Sequence, residues 1–368
     1  MNKHHDNYFM RPSTKLPVIL LFSLLAVYSC NCLGEIAVET TSVASSKDES
    51  LQTVPFITLR NRTGSEKVSE YFGGERNTMH AGYCDLGSTS LSTLKPVADK
   101  VPFYIPEDIL TLVNIRESDI DEFWNNMKTS SNGNTLTLYT HGFNIDFEKG
   151  CRRASLFQRS VELKSRFLFF SWPSDGAIMN YTHDEADIYW SVEPLRQTLN
   201  EMLARFAAGN INLAAHSLGA RGVFLALVMI AQTEQSNKPL FNQLVFIAPD
   251  IDAATFQQYL PLIKPLAKYI TIDTSANDNA LALSRQVHGY PRLGETGPHL
   301  DSLTGVEIID LSYIAMRSPS GHLYHLYHND VVNDLKQILN DAKPAALRRN
   351  LKQTGKNHWQ LEPTTINR

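Results

Sequence analysis

The sequence predicts a mainly parallel central β-sheet with helices on both faces, an α/β fold that is preceded by a signal peptide and a flexible tether. Short apolar segments rich in β-branched residues alternate with longer segments in which apolar residues recur every three or four positions. Strands separated by helices in this way form βαβ units, which build parallel sheets. Hydrophobic residues make up 43% of the 368 residues and charged residues 20%, so the chain is able to bury a large core.

The composition excludes several classes of protein. The formal net charge is −4 at pH 7, so no basic excess indicates a nucleic-acid partner. The 19 glycines and 17 prolines are ordinary numbers for this length, which excludes collagen-like and low-complexity chains. The four cysteines are too few for a disulfide scaffold of this size. We expect a globular enzyme or binding domain that needs no cofactor and no metal.

Residues 1–30 have the pattern of a bacterial export signal. Basic residues at positions 3, 11 and 15 precede an apolar segment over 16–27, which is shorter than the about 20 residues that span a bilayer. The residues before Cys30 resemble a lipobox, which makes Cys30 the candidate lipidation site. A signal cleaved without lipidation and a retained membrane anchor are the alternatives. We therefore expect an exported protein of the cell envelope, either a lipoprotein or a periplasmic protein. Its contact with the membrane is expected to be the N-terminal signal or lipid anchor.

Three segments follow the signal. Residues 31–53 are rich in serine, threonine and acids without a helical or strand period, as is typical of a flexible linker. Residues 54–345 carry the alternating pattern and form one predicted domain, and 346–368 are expected to be a polar C-terminal tail. In an oxidising compartment Cys84 and Cys151 are able to pair, but the sequence alone leaves this pairing open.

The first half of the domain begins with strands. Apolar runs bounded by polar loops predict strands at 54–59, 83–86, 101–105, 135–140 and 166–171, of which the second and third are edge strands. The segment 117–127 has apolar residues at 120, 123, 124 and 127, the spacing of one helical face. The segment 148–163 repeats apolar residues in the same way and predicts a second helix.

The second half of the domain alternates helices and strands. The long helical stretch 184–207 contains Pro194, which marks a kink or the first turn of a new helix. The remaining strands are predicted at 211–215, 243–248, 269–273 and 306–311. The remaining helices are predicted at 218–231, 253–259 and 331–339. In open parallel sheets ligands bind beyond the carboxyl ends of the strands, so the residues that follow each strand are the candidates for chemistry.

Ser217 lies at the turn between the strand 211–215 and the helix 218–231, in the sequence INLAAHSLGA. This is the context of a nucleophile elbow, in which a sharp turn lifts a serine hydroxyl above the sheet. The usual pattern is G-x-S-x-G, and here Ala215 stands in place of the first glycine while Gly219 is the second. A serine hydroxyl becomes a nucleophile only when a base takes its proton and an acid orients that base.

The acid and the base are expected downstream of the serine, in the order serine, acid, histidine. Asp278, in the loop after the strand 269–273, is the favoured acid, and Asp250, after the strand 243–248, is the alternative acid; both also suit the ordinary role of a helix cap or turn residue. His322, in the polar loop between the last strand and the closing helix, is the favoured base. The remaining candidates are Asp252 and Asp273 for the acid, and His288, His299, His325 and His328 for the base.

A developing oxyanion needs donors that are already in place. The sequence HGFN at 141–144 follows the strand 135–140, and its glycine lets backbone amides face the reacting centre. The expected oxyanion donors are the backbone N–H groups of Phe143 and Leu218. Phe143, Trp172 and Tyr181 are candidates for lining an acyl pocket.

The chain resembles the α/β-hydrolase superfamily, in particular a bacterial branch of uncharacterised serine hydrolases with an extended N-terminal region. The matching segments are HGFN at 141–144, FSWPS at 170–174, HSLG at 216–219, APDID at 248–252, NDNALALS at 277–284 and GH at 321–322, with FGGER at 72–76 and GYC at 82–84 upstream. The resemblance covers about residues 55 to 340, and it implies Ser217 as nucleophile, Asp278 as acid and His322 as base. Two positions depart from the pattern of that branch, Ala215 in the elbow and Ala220 where the branch often has asparagine.

These features predict a serine hydrolase that cleaves an ester of a small molecule or lipid, carboxylesterase- or lipase-like, through a Ser-His-Asp triad and an acyl-enzyme. One alternative is a hydrolase with a metal-binding histidine cluster, because His322, His325 and His328 are spaced by three and Asp330 is near. The other alternative is a non-catalytic cell-envelope binding protein that keeps the fold. Retained activity in a chelator excludes the first, and turnover that depends on Ser217 excludes the second.

Overall fold

The computed structural model describes residues 51–88, 109–129, 135–233, 238–315, 318 and 320–364. The predictions for the signal, for Cys30, for residues up to 50 of the linker and for the strand 101–105 lie outside these residues. No helix within the described residues is long and apolar enough to span a membrane.

The described residues form one sheet whose strands are ordered β10-β11-β9-β8-β7-β6-β4-β5-β1-β2-β3. In chain order the strands are β1 Gln52–Arg62, β2 Phe72–Ser88, β3 Leu110–Ser118, β4 Leu136–Thr140, β5 Arg166–Ser171, β6 Ile211–His216, β7 Phe241–Ile247, β8 Ala267–Thr274, β9 Glu307–Asp310, β10 Leu351–Gln353 and β11 His358–Leu361. Every pairing from β1 through β5, β4, β6, β7, β8 and β9 to β11 is parallel, whereas β2, β3 and β10 join antiparallel at the two edges. The prediction of a mainly parallel sheet is confirmed.

Helices connect the parallel strands and cover the sheet. They are α1 Ile120–Thr129, α2 Phe147–Ser160, α3 Tyr181–Trp190, α4 Val192–Arg205, α5 Leu218–Thr233, α6 Ala253–Ile263, α7 Asn279–His288, α8 Tyr324–Tyr327 and α9 Asn329–Asp341. The predicted stretch 184–207 is thus two helices, and Pro194 lies in the first turn of the second, where a proline is tolerated.

The core lies on both faces of the sheet because the central strands are buried on both sides. All five residues of β4 and all six of β6 are buried. Successive side chains of a strand point to opposite faces. Leu138 and Leu213 therefore belong to one apolar cluster, with residues of α4, α5 and α6, whereas Tyr139 and Ala214 belong to the other, with residues of α2 and α9.

The C-terminal segment differs from the prediction. Instead of a polar tail after residue 345, the described part of this segment adds β10 and β11 to the sheet, with β11 parallel to β9. Arg348 holds the segment in place: its side chain is fully buried and binds Asp334 at 2.7 Å and Glu307 at 2.9 Å. The polar composition that favoured a tail reflects strands of only three and four residues at an edge of the sheet.

A disulfide joins Cys84 of β2 to Cys151 of α2, with Cα atoms 6.4 Å apart. Both residues are fully buried, and α2 packs directly against β2. The pairing that the sequence left open is therefore present. It ties the antiparallel edge of the sheet to the helix that covers the middle strands.

We expect the double variant Cys84→Ala/Cys151→Ala to unfold at a lower denaturant concentration than the oxidised wild type. The bridge closes a loop with a sequence separation of 67. The chain-entropy model assigns a loop of this size about 4 kcal/mol of unfolding free energy. Urea denaturation of both proteins, with and without a reductant, measures the difference. The reductant should lower the midpoint of the wild type alone, and equal midpoints for the variant and the oxidised wild type would contradict the prediction.

Candidate functional site

Ser217 occupies a left-handed turn between β6 and α5, with φ +54°. This conformation costs a non-glycine residue roughly 1–2 kcal/mol and persists only where neighbouring contacts enforce it. The Ser217 N–H donates to Ile247 O at 3.0 Å, and its carbonyl accepts from the N–H groups of Ala220 and Asp250 at 3.1 and 3.2 Å. Hydrogen bonds to β7 and the loop after it therefore hold both ends of the turn.

Close backbone approach explains which positions of the turn need glycine. A Cβ on Gly219 would lie 2.2 Å from the His141 carbonyl oxygen, and a Cβ on Gly142 would lie 2.8 Å from Ser217 Cβ. Ala215, by contrast, lies within β6 in register with Thr140 of β4 and Phe246 of β7, where its methyl group is buried in the core. The turn therefore forms with alanine at the position where the usual pattern has glycine.

Asp278 and His322 are joined by a hydrogen bond between Asp278 Oδ2 and His322 Nδ1 of 2.7 Å. The Asp278 side chain is fully buried and the His322 side chain is 12% exposed. The other carboxylate oxygen, Oδ1, accepts from the N–H groups of Ala280 and Leu281 and caps α7. Asp278 thus fills the ordinary role of a helix cap and orients the imidazole of His322 at the same time.

His216, the residue before the serine, brings His322 to the turn. The carbonyl oxygen of His322 lies 3.1 Å from His216 Nε2, and the two rings are 4.7 Å apart. Burial lowers the pKa of His216 well below 6.5, so the ring is neutral and donates its Nε2–H to that carbonyl. Ser217 Oγ forms no hydrogen bond with any described residue, including the His322 imidazole. A contact of this kind often tightens only when substrate binds.

The expected oxyanion donors lie in the loop after β4 and at the start of α5. Within the described residues, the N–H groups of Phe143 and Leu218 form no hydrogen bond. The next residue, Asn144, has φ +61° and donates its N–H to Asp184 Oδ2 at 3.1 Å. Trp172 lies fully buried beneath this loop rather than in a pocket: its ring stacks on His141 at 5.0 Å and its Nε1–H donates to His141 O.

Asp250, the alternative acid, belongs to a different network. Its Oδ1 accepts from Arg292 Nε and from Ser284 Oγ, both at 2.7 Å, and its Oδ2 accepts from Tyr181 OH at 2.5 Å. Arg221 lies 3.3 Å away. Burial alone would raise the pKa of Asp250, but the two guanidinium groups outweigh it and lower the pKa to about 2. The carboxylate is thus committed to Arg221 and Arg292, and His322 pairs with Asp278 instead.

The predicted metal ligands are not gathered at one point. His325 is fully buried, lies 4.3 Å from the His216 ring and reaches Tyr139 OH at 3.4 Å. His328 Nδ1 accepts from the Asp330 N–H and caps α9. Among the described residues, the ligand atoms of these histidines and Asp330 do not converge at metal-binding distance.

Two supporting residues were missed in the sequence. Asp184 accepts from Asn144 N, from Asp175 N and from Ser174 Oγ, and so joins the loops after β4 and β5. No motif marks it. Arg221, which also binds Glu185, was recognisable in the sequence. It is the single charged residue in the apolar segment LGARGVFLALVMIA, and a buried arginine requires a buried partner.

We expect Asp250→Asn to lower the free energy of unfolding by about 3–5 kcal/mol near neutral pH, because two buried guanidinium groups lose their counter-charge. The low pKa of Asp250 in the folded state means that its contribution is complete above its ordinary pKa of 3.8 and is lost as the pH falls toward about 2. Denaturant unfolding should show that the difference in unfolding free energy between wild type and variant becomes smaller as the pH falls across this range. A difference that stays constant down to about pH 2 would contradict the assignment.

The chain has structural similarity to an esterase of the archaeon Pyrobaculum calidifontis, with 13% identity, a TM-score of 0.34 and coverage of 56% of this chain and 77% of that one. It is also similar to a thermostable carboxylesterase cloned from a metagenomic library, with 11% identity, a TM-score of 0.34 and coverage of 82% and 92%. A third similar structure is Arabidopsis thaliana SOBER1, with 14% identity, a TM-score of 0.32 and coverage of 54% and 97%.

No curated protein matches the chain. A family model does: residues 116–341 match the model described as "Alpha/beta hydrolase of unknown function (DUF900)". The match spans more than half of the chain and contains the turn at Ser217, the Asp278–His322 pair and the loop of Phe143. The chain therefore belongs to this family of alpha/beta hydrolases, and the resemblance seen in its sequence motifs is confirmed.

Proposed function

We propose that this protein is a serine hydrolase that cleaves an ester through an acyl-enzyme intermediate, with Ser217 as nucleophile, His322 as general base and Asp278 as the orienting acid. One observation carries the proposal: the 2.7 Å hydrogen bond that holds His322 to the buried Asp278, beside a serine in a left-handed turn. In a nucleophile elbow this conformation lifts the serine hydroxyl above the carboxyl end of the sheet.

In the proposed reaction Ser217 Oγ attacks the ester carbonyl while His322 Nε2 takes its proton. Asp278 keeps the proton on Nδ1 and stabilises the imidazolium ion as it forms. The N–H groups of Phe143 and Leu218, which have no other partner among the described residues, stabilise the oxyanion. His322 then protonates the leaving alcohol, and a water activated by the same imidazole hydrolyses the acyl-enzyme.

The proposed location of the protein is the cell envelope. Disulfides persist in oxidising compartments and are rare in the cytosol, and Cys84 and Cys151 form one. This supports an exported protein. Retention of radiolabelled palmitate by the full chain, and its loss in Cys30→Ser, tests whether the N-terminus is lipidated.

We expect Ser217→Ala to abolish ester hydrolysis, with a loss of kcat/KM of about 10⁴-fold or more, because no other group supplies the nucleophile. A fluorophosphonate probe should label the wild type and leave Ser217→Ala unlabelled. Ser302→Ala, a change at an exposed serine, is the matched control and should retain both ester hydrolysis and fluorophosphonate labelling. A wild-type protein that neither turns over acyl esters nor takes the label would point instead to the non-catalytic binding protein.

We expect Asp278→Asn to lower kcat by about 10²–10⁴-fold with little change in melting temperature. Asparagine keeps an oxygen for the cap of α7 but lacks the charge that stabilises the His322 imidazolium. Steady-state kinetics and thermal denaturation of the same preparation separate the two roles. Full activity in Asp278→Asn would show that His322 does not depend on this carboxylate.

A further inference from the structure

A second group of chemically active side chains lies beside the proposed site, where the loop after β5 meets the start of α3. Asp175, His183 and Asp184 each offer one ligand atom, and these atoms all lie within 4.8 Å of one another. Asp187 is one helical turn beyond His183 and faces the same imidazole. We call these four residues the acid–histidine cluster. The proposed catalysis uses none of them as a reacting group.

Asp187 carries an oxygen that lacks a hydrogen-bond partner. The residue is 1% exposed, and its Oδ1 accepts from Arg76 Nε at 2.5 Å. Its Oδ2 is buried and forms no hydrogen bond, although it lies 3.3 Å from His183 Nδ1. A buried carboxylate oxygen without a hydrogen bond is costly, so its position beside the His183 imidazole points to a role as a cation ligand.

Two distances measured from His183 suit the ligands of one ion. Zinc binds imidazole nitrogen and carboxylate oxygen at about 2.0–2.2 Å, so two of its tetrahedral ligands are about 3.4 Å apart. His183 Nδ1 lies 3.3 Å from Asp187 Oδ2 and 3.7 Å from Asp175 Oδ2. Half of the His183 side chain is exposed, which leaves a path from solvent to the imidazole.

The local charge also favours a divalent cation. Asp146, Asp175, Asp184 and Asp187 all act electrostatically on the fully buried guanidinium of Arg60. Arg76 supplies a second positive charge through Asp187. These four carboxylates and two guanidinium groups together carry two net negative charges, which one divalent cation balances.

We propose that the acid–histidine cluster binds one divalent transition-metal ion of the Zn²⁺ class, with His183 Nδ1 as one ligand and carboxylate oxygens of Asp175, Asp184 and Asp187 as the candidates for the others. One imidazole with several carboxylates is a donor set that suits zinc and manganese, whereas calcium and magnesium prefer oxygen ligands alone. The ion acts as a structural clamp. Asp184 binds Asn144 N at 3.1 Å, so the clamp supports the loop that carries Phe143.

Titration of the chelator-treated full chain with Zn²⁺ near pH 7.5 tests the proposal, by calorimetry and by the melting temperature. We expect saturation at one equivalent in this site and, at a hundred times the dissociation constant, a rise in melting temperature of about 5 °C. Co²⁺ in place of Zn²⁺ should give the visible absorption bands of a four- or five-coordinate ion, which aqueous six-coordinate Co²⁺ shows only weakly. These readouts do not depend on hydrolytic activity.

Three variants decide whether the ion binds at the cluster. His183→Ala and Asp187→Asn should each weaken Zn²⁺ binding by at least about 10-fold and remove the rise in melting temperature. His358→Ala is the matched control, because His358 lies near a single carboxylate, Asp301 at 3.9 Å, and should bind as the wild type does. Saturation only above about 1 mM, or affinity unchanged in both His183→Ala and Asp187→Asn, overturns the proposal.

Discussion

The left-handed backbone at Ser217 determines how the neighbouring chain segments are arranged. The turn persists because β7 and the loop after it bind both of its ends, through Ile247 O and Asp250 N. The same turn requires glycine at positions 142 and 219, where the loop after β4 comes into contact with it. His216, the residue before this turn, packs its ring against both His322 and His325. The residues proposed as nucleophile, oxyanion donors and base therefore lie around one strained residue.

Two buried polar networks lie next to this turn. In the first, Asp250 binds Arg221, four residues beyond the serine, together with Arg292 and Tyr181. Tyr181 in turn packs edge-to-face on Phe143 at 5.2 Å. In the second, Asp184 joins Asn144 to the loop after β5. Because the buried polar groups of both networks are hydrogen-bonded, the chain is able to hold the left-handed conformation at Ser217. The hydrogen bonds of these networks offset the local strain.

Much of the fold followed from local sequence patterns. The central strands are short, fully buried runs, and most helices between them repeat apolar residues at helical spacing, so their existence and order were predictable. The helix α7 was not predicted. The family resemblance was also readable, because its motifs stand at strand ends in a fixed order. The roles of Ser217, Asp278 and His322 remain predictions that await kinetic tests, although the chain does bring Asp278 and His322 into contact.

The features that could not be predicted depend on partners far away in the chain. The strands β10 and β11 are too short to carry a pattern, and they are held through Arg348, which binds Asp334 and Glu307. Asp184 is one acid among several on α3, and only its contacts with the loops after β4 and β5 distinguish it. Asp250 and Asp278 both follow parallel strands, so the sequence did not exclude either as the acid; the difference lies in the two arginines that surround Asp250.

A crystal structure of the protein after reaction with a fluorophosphonate tests the central claim most directly. The account predicts phosphorus bonded to Ser217 Oγ, one phosphonyl oxygen about 3 Å from the N–H groups of Phe143 and Leu218, and His322 Nε2 within hydrogen-bond distance of Ser217 Oγ. An adduct on another residue would contradict the account. So would a phosphonyl oxygen that points away from both amides.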